Sequence, residues 1–318
     1  MNKSITIAYF TCRKEPKIEW FFNSLNRELK GDWSNIQILI IDYYHQFNPE
    51  LRTLEFLPFY ERYTDNVSHI SPKPTVWQGK YKKTINEYFA ASNSRNTAFV
   101  NCTTDYLVCI DDLTVVKEGW WDTVRWGQDN NYVLLGAYAK ANELVCQGDG
   151  SYSYKEETLH KGLDSRYNNE VVKHTTKPVK VAGSWLFGCS FSLPLELALK
   201  IDGFDEACDG QGAEDYDFGI RLGRVTSDIY YCKEMFTYEN DEMHSYGNNQ
   251  KFIRSCKTIG PDSILKKYKG TSSDHAMLKS VMDSNSPLPV LPSYLKEKDS
   301  PLHLTDTDWR DGQLLSEM

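Results

Sequence analysis

Three uninterrupted apolar segments constrain this chain more than anything else in it: Ser4 to Phe10 (SITIAYF), Ile36 to Ile41 (IQILII) and Tyr106 to Ile110 (YLVCI). A strand with one solvated face alternates apolar and polar residues, whereas a strand apolar throughout is covered on both faces, as in a parallel sheet between layers of helices. Between the first two segments Ile18, Phe21, Phe22, Leu25 and Leu29 recur at helical spacing, and Gly31 closes that helix. Strand, helix and strand make a βαβ unit, which predicts an α/β fold with a mostly parallel central sheet flanked by helices. The second and third segments run directly into Asp42 and Asp111-Asp112. Carboxylates at the carboxyl edge of such a sheet lie where open α/β folds bind ligands.

The remaining elements read less sharply. Tyr43 to Lys83, with Pro49, Pro58, Pro72 and Pro74, reads as an irregular excursion, and residues 84–100 as a helix. Tyr132 to Tyr138 and Trp185 to Leu193 are expected strands, separated by a polar Tyr-, Lys- and Glu-rich stretch that reads as a loop over the site. Pro194 opens a short helix, Gly203-Phe204-Asp205-Glu206 forms a turn, and Ala213 to Leu222 is a helix whose acidic first turn suits its dipole. Pro261 to Tyr268 is a further helix, and residues 285–318 form a polar appendage.

With 36 Lys and Arg against 44 Asp and Glu, the net charge is −8, which argues against wholesale coating of a polyanion. Lys80, Lys82, Lys83 and the Lys266-Lys267-Tyr268-Lys269 run read as solvated charge or as a local basic patch. No run of 18 apolar residues occurs and the amino terminus turns charged too soon for a signal peptide, so the chain reads as soluble and cytoplasmic, with no integral membrane segment. Its eight cysteines never fall in a C-x-x-C spacing and sit mostly in apolar surroundings, which predicts buried free thiols.

Two places carry chemistry. Asp111-Asp112, followed by Gly119-Trp120-Trp121, suits a hard divalent cation that keeps positions open for phosphate oxygens, and serves equally as a turn. Gly210-Gln211-Gly212-Ala213-Glu214-Asp215 combines glycines, which let backbone approach a ligand, with carboxylates at a helix start. One of these can take a proton from an attacking hydroxyl, or all can simply complement the dipole. Met243-His244-Ser245 adds an imidazole that is a metal ligand only if it meets Asp111-Asp112 in space.

Taken in order, Ile7-Ala8-Tyr9-Phe10-Thr11, Ile40-Ile41-Asp42, Ser94-Arg95-Asn96, Asp111-Asp112, Gly203-Phe204-Asp205-Glu206, Gly212-Ala213-Glu214-Asp215-Tyr216-Asp217 and Met243-His244-Ser245 resemble the GT-A fold of nucleotide-sugar-dependent glycosyltransferases. The likeness is to family 2-like members with a galactosyltransferase-type carboxyl half, and it covers residues 3 to 250. It implies a transferase domain over 1–255, with a nucleotide-sugar half to about 115 and an acceptor half after it, and a 256–318 extension. It also implies a nucleotide-sugar donor, UDP-linked foremost, bound by Thr11, Arg13, Asp42, Arg95, Asn96, Asp111, Trp185 and Gly212, with Asp42 accepting from the base. Asp112, Asp111 and His244 would hold Mn²⁺ or Mg²⁺, and Asp215, or else Glu214, would be the general base of an inverting transfer. The family's D-x-D reads Asp111-Asp112-Leu113 here, so its last position is apolar and either aspartate remains open as the direct ligand.

Other readings are a metal-dependent nucleotidyltransferase and a non-catalytic sugar-nucleotide binding module. A P-loop and a G-x-G-x-x-G after the first strand are both absent, which excludes the corresponding nucleoside-triphosphatase and dehydrogenase classes. The acceptor is left open among a glycan, a protein side chain and a hydroxylated DNA base, with its specificity expected in segments 43–83 and 139–180 and in the tail.

Overall fold

The computed structural model describes residues 3–75, 78–79, 90–210 and 214–242. The expectations for His244, Gly212, Met243, residues 80–89, Cys256 and the 256–318 extension lie outside them. In chain order the elements are β1 (Ile5–Thr11), α1 (Ile18–Leu29), β2 (Ile36–Asp42), α2 (Pro49–Tyr60), β3 (Val67–Ile70), α3 (Ala91–Asn101), β4 (Tyr106–Asp111), β5 (Thr114–Val116) and α4 (Trp120–Asn130). The second half adds β6 (Val133–Ala141), a ribbon of β7 (Val145–Cys146) and β8 (Tyr152–Ser153), α5 (Glu156–Gly162), β9 (Val179–Lys180), β10 (Ser190–Pro194), α6 (Leu195–Lys200), α7 (Glu214–Leu222) and β11 (Ile229–Asn240).

Among the described residues one sheet runs β3-β2-β1-β4-β10-β6-β11-β5, with β9 pairing β11. Strands β3, β2, β1 and β4 pair in parallel, β10 is antiparallel to both neighbours, and β6 and β11 resume the parallel direction. Every residue of β1 and β2 is buried, as the continuous apolar runs require. Alternate side chains divide between the faces. Ile5, Ile7 and Tyr9 join Ile36, Ile38 and Ile40 beneath α1, α2 and α4, while Ala8, Phe10, Leu39 and Ile41 lie under α3, α6 and α7.

The excursion expected after Tyr43 is instead ordered into α2 and β3. Asn48 caps α2 by accepting from the Leu51 N–H at 3.2 Å, and Pro49 occupies the first turn, where a missing N–H costs nothing. Pro58 lies inside the helix at an exposed position. The strand expected over Trp185 to Leu193 is shorter: Gly183–Trp185 is a 3-10 turn and β10 begins at Ser190. The seven described cysteines are free, five of them buried.

Candidate active site

The parallel register fixes the site's first row. Thr11 stands opposite Asp42, and Phe10 opposite Asp111, so three neighbouring strands deliver polar ends to one edge. At β4 the chain turns sharply. Leu113 adopts a left-handed φ of 59° with its side chain fully buried, held by its N–H to the Pro16 carbonyl at 3.1 Å and by the Asn240 N–H on its own carbonyl at 3.2 Å. Such a backbone costs an apolar residue roughly 1–3 kcal/mol and persists only where its surroundings hold it. It places Leu113 in the core and leaves Asp111 and Asp112 on the edge.

Asp112 is bound on both oxygens, by the Thr11 hydroxyl at 2.7 Å and by Arg13 Nε at 3.1 Å. Asp111 accepts from Arg95 at 3.2 Å and keeps about a quarter of its side chain exposed. Burial pushes the Asp111 carboxyl up to about 7; Arg95 opposes this, while the like charges of Glu239, Asp112 and Glu214 add to it.

Arg95 comes from α3, a helix buried from Ala91 to Val100 although six of those residues are polar or charged. A buried polar helix is tolerable only when its groups are paired, and here a loop from the second half does the pairing. Asp209 takes the Ser92 and Asn93 N–H groups at 2.6 and 3.1 Å, capping the helix. The Asn96 amide accepts from Phe204 N–H at 2.8 Å and donates to the Phe204 carbonyl and to Glu206 at 3.0 and 2.7 Å. Glu206 in turn pairs with Lys73 at 2.5 Å, both fully enclosed.

The guanidinium of Arg95 bridges Asp111 and Glu214, each at 3.2 Å, and donates to the Gly188 carbonyl at 3.0 Å. Burial opposes its charge, but Asp111 and Glu214 more than offset that, so its pKa is raised. Burial and the adjacent Asp215 raise the Glu214 carboxyl. Asp215 accepts from the Gly188 N–H at 3.2 Å and the Tyr216 N–H at 2.7 Å, which fixes its orientation. Helix α7 reaches this position because Gly219 meets Gly183 backbone to backbone; a Cβ on either would overlap the other's carbonyl. Segment 185–188 is fixed from beneath by Arg166, which bonds Asp164 at 2.7 Å, donates to the Trp185 carbonyl and stacks 4.1 Å from the Phe187 ring.

Several expectations change. Asp42 is fully buried and its carboxylate is occupied by Arg52 at 2.6 Å, the Tyr44 N–H at 2.9 Å and His69 at 3.1 Å. It has no open side with which to read a base. Arg52 also donates to the Lys14 and Arg13 carbonyls, both at 2.8 Å, so the pair anchors the loop that follows β1. Asn96 faces the 203–206 turn instead of the cleft, and Trp185 packs edge-on against Tyr231 at 5.7 Å. Trp120 is fully buried, a core residue. The reading of isolated residues missed Arg52, Gly188, Arg166 and Glu239, none of which stands in a motif. Among the described residues no cluster of three or more His, Cys, Asp or Glu is placed to hold a metal ion. Nor, among them, is any helix long and apolar enough to cross a membrane.

No protein-family model and no curated protein matches the chain. Solved structures do. S. aureus TarS 1–349, alone and in complex with UDP, aligns with a TM-score of 0.51 at 14% identity over 74% of this chain and 60% of that one. Its complex with UDP-GlcNAc aligns with a TM-score of 0.50 at 13% identity over 78% of this chain and 60% of the other. The chain thus spans about 60% of the length of the structures it matches, and at such identity the likeness is one of fold. That fold is α/β of the GT-A type, with a mostly parallel central sheet flanked by helices.

Proposed function

We propose that this chain is a glycosyltransferase, moving a hexose from a nucleotide-diphosphate sugar, UDP-linked foremost, to an acceptor hydroxyl with inversion. The observation that carries the reading is the Arg95 bridge, which ties the strand-end carboxylate Asp111 to Glu214 at the start of α7, next to Asp215. The fold shared with a protein whose structures hold UDP and UDP-GlcNAc supports the donor class. The ordered motifs of residues 3 to 250 favour a family 2-like enzyme with a galactosyltransferase-type carboxyl half, divided near residue 115.

In this mechanism Asp215, oriented by two backbone N–H groups, removes the acceptor proton as the new bond forms on the face opposite the departing nucleotide. Glu214 is turned away from that role by its bond to Arg95. Two adjacent carboxylates at a strand end, with about a quarter of the Asp111 side chain still exposed, fit a hard divalent ion. Asp112 and Asp111 would hold Mn²⁺ or Mg²⁺, which as a Lewis acid eases departure of the diphosphate. Thr11 and Arg13 keep the Asp112 carboxylate in place.

The test is turnover of a panel of UDP-, GDP- and dTDP-sugars. Nucleoside diphosphate is expected as product; pyrophosphate would identify a nucleotidyltransferase instead. Asp215→Asn should lower the rate by about 10²–10⁴-fold, and undiminished sugar transfer would remove the base assignment.

A further inference from the structure

At the opposite edge of the sheet lies a cavity of about 660 Å³ between the amino ends of β1, β2 and β4 and the end of α4. It is separated from the Thr11 edge by the length of β1, roughly 20 Å at about 3.3 Å per residue. The volume is within the roughly 300–1,000 Å³ of small-molecule sites, but the lining is unlike the usual apolar pocket. It consists of amides, hydroxyls and carboxyls, among them Gln37, Asn66, Thr103, Asp105, Asn131 and Glu196.

Gln37 interrupts the apolar run of β2 and is 8% exposed. A polar group there costs stability unless it is bonded. Its Oε1 accepts from Thr103 N–H at 3.1 Å, the Thr103 hydroxyl at 2.8 Å and the Thr6 hydroxyl at 2.6 Å. Because a backbone N–H can only donate, this network fixes which end of the amide is oxygen. Among the described residues Nε2 takes no protein partner, and it belongs to a side chain that lines the cavity. Around it, among the described residues, the side chains of Asp105, Glu196 and Asn131 take no hydrogen-bond partner, and Asn66 spends its amide nitrogen on the Ile36 carbonyl at 2.7 Å, leaving its oxygen. Two carboxylates against the one lysine, Lys3, disfavour an anion. A wall that offers amide N–H donors beside carboxylate and amide oxygens suits vicinal hydroxyls, since one planar amide or carboxylate can serve two neighbouring hydroxyl groups.

We propose that this cleft is a second, non-catalytic binding site for a neutral saccharide. It stands independently of the transferase reading. The experiment is saturation-transfer-difference NMR on the full chain with cellotriose and triacetylchitotriose, recorded without UDP and again with saturating UDP. At least one trisaccharide is expected to bind, and the double variant Asn131→Gly/Glu196→Ala, in which glycine keeps the left-handed backbone that ends α4 at φ 60°, should weaken it by about tenfold or more. Gln37→Leu, checked for folding by its melting temperature, should do the same. Absence of transfer from both sugars, displacement by UDP, or equal binding by the double variant would each overturn the assignment. Displacement by UDP would leave the proposed transferase site standing, and loss of sugar transfer in Asp215→Asn would leave this one standing.

Discussion

At the carboxyl edge of β1, β2 and β4 the strand ends hold carboxyl–guanidinium pairs, Asp42 with Arg52, Asp112 with Arg13 and Asp111 with Arg95, whereas at the amino edge the buried network joins the neutral side chains of Thr6, Gln37 and Thr104, with Asp105 and Glu196 only lining the cavity beside it. The two edges bear on stability differently. A buried charge that loses its partner keeps its full desolvation penalty, while a neutral hydroxyl that loses one bond in a shared network gives up little. At the carboxyl edge burial raises the Asp111 carboxyl against the pull of Arg95, so that side chain is the group there whose charge a ligand or a proton most readily changes.

The comparison breaks first at Arg52. Arg52→Ala leaves Asp42 buried without its guanidinium and should cost about 3–5 kcal/mol, read by urea or thermal unfolding. A loss under 1 kcal/mol would mean that His69 and the Tyr44 N–H suffice to hold Asp42. Next is the ligand. With Mn²⁺ present, a UDP-sugar at a hundredfold excess over its dissociation constant should raise stability by about 2.7 kcal/mol, seen as a higher melting temperature. The gain should vanish in excess EDTA; equal stabilisation there would place nucleotide binding outside the Asp111-Asp112 turn. The smallest effect belongs to the amino edge. Thr6→Val removes one of three donors to Gln37 and should cost about 1 kcal/mol, with sugar transfer unchanged. A larger loss would show the neutral network to be as demanding as the charged one.

Much of this architecture was legible. The apolar runs of β1, β2 and β4, the α1 stripe and the carboxylates at strand ends all follow from local pattern. Helix α2 was not, because Pro49 and Pro58 read as breakers, although Asn48 followed by proline is a helix start. β11 went unread because its two ends pair with different partners, β9 near Tyr230 and β5 near Tyr238, across an irregularity between Cys232 and Phe236. Asp111-Asp112 and Glu214-Asp215 were selected by position in the chain. Their link through Arg95, 119 residues from Glu214, carries no local signal.

The sequence by itself determined where a two-sided strand must be buried and which residues must emerge at its end, because both follow from side-chain periodicity and the cost of exposing apolar surface. Only the tertiary structure decided which cation each carboxylate meets. It closed Asp42 under Arg52, left Asp111 partly open beside Glu239, and joined α3 to α7 through one guanidinium, because charge interactions depend on distance in space and on burial, which chain order does not encode.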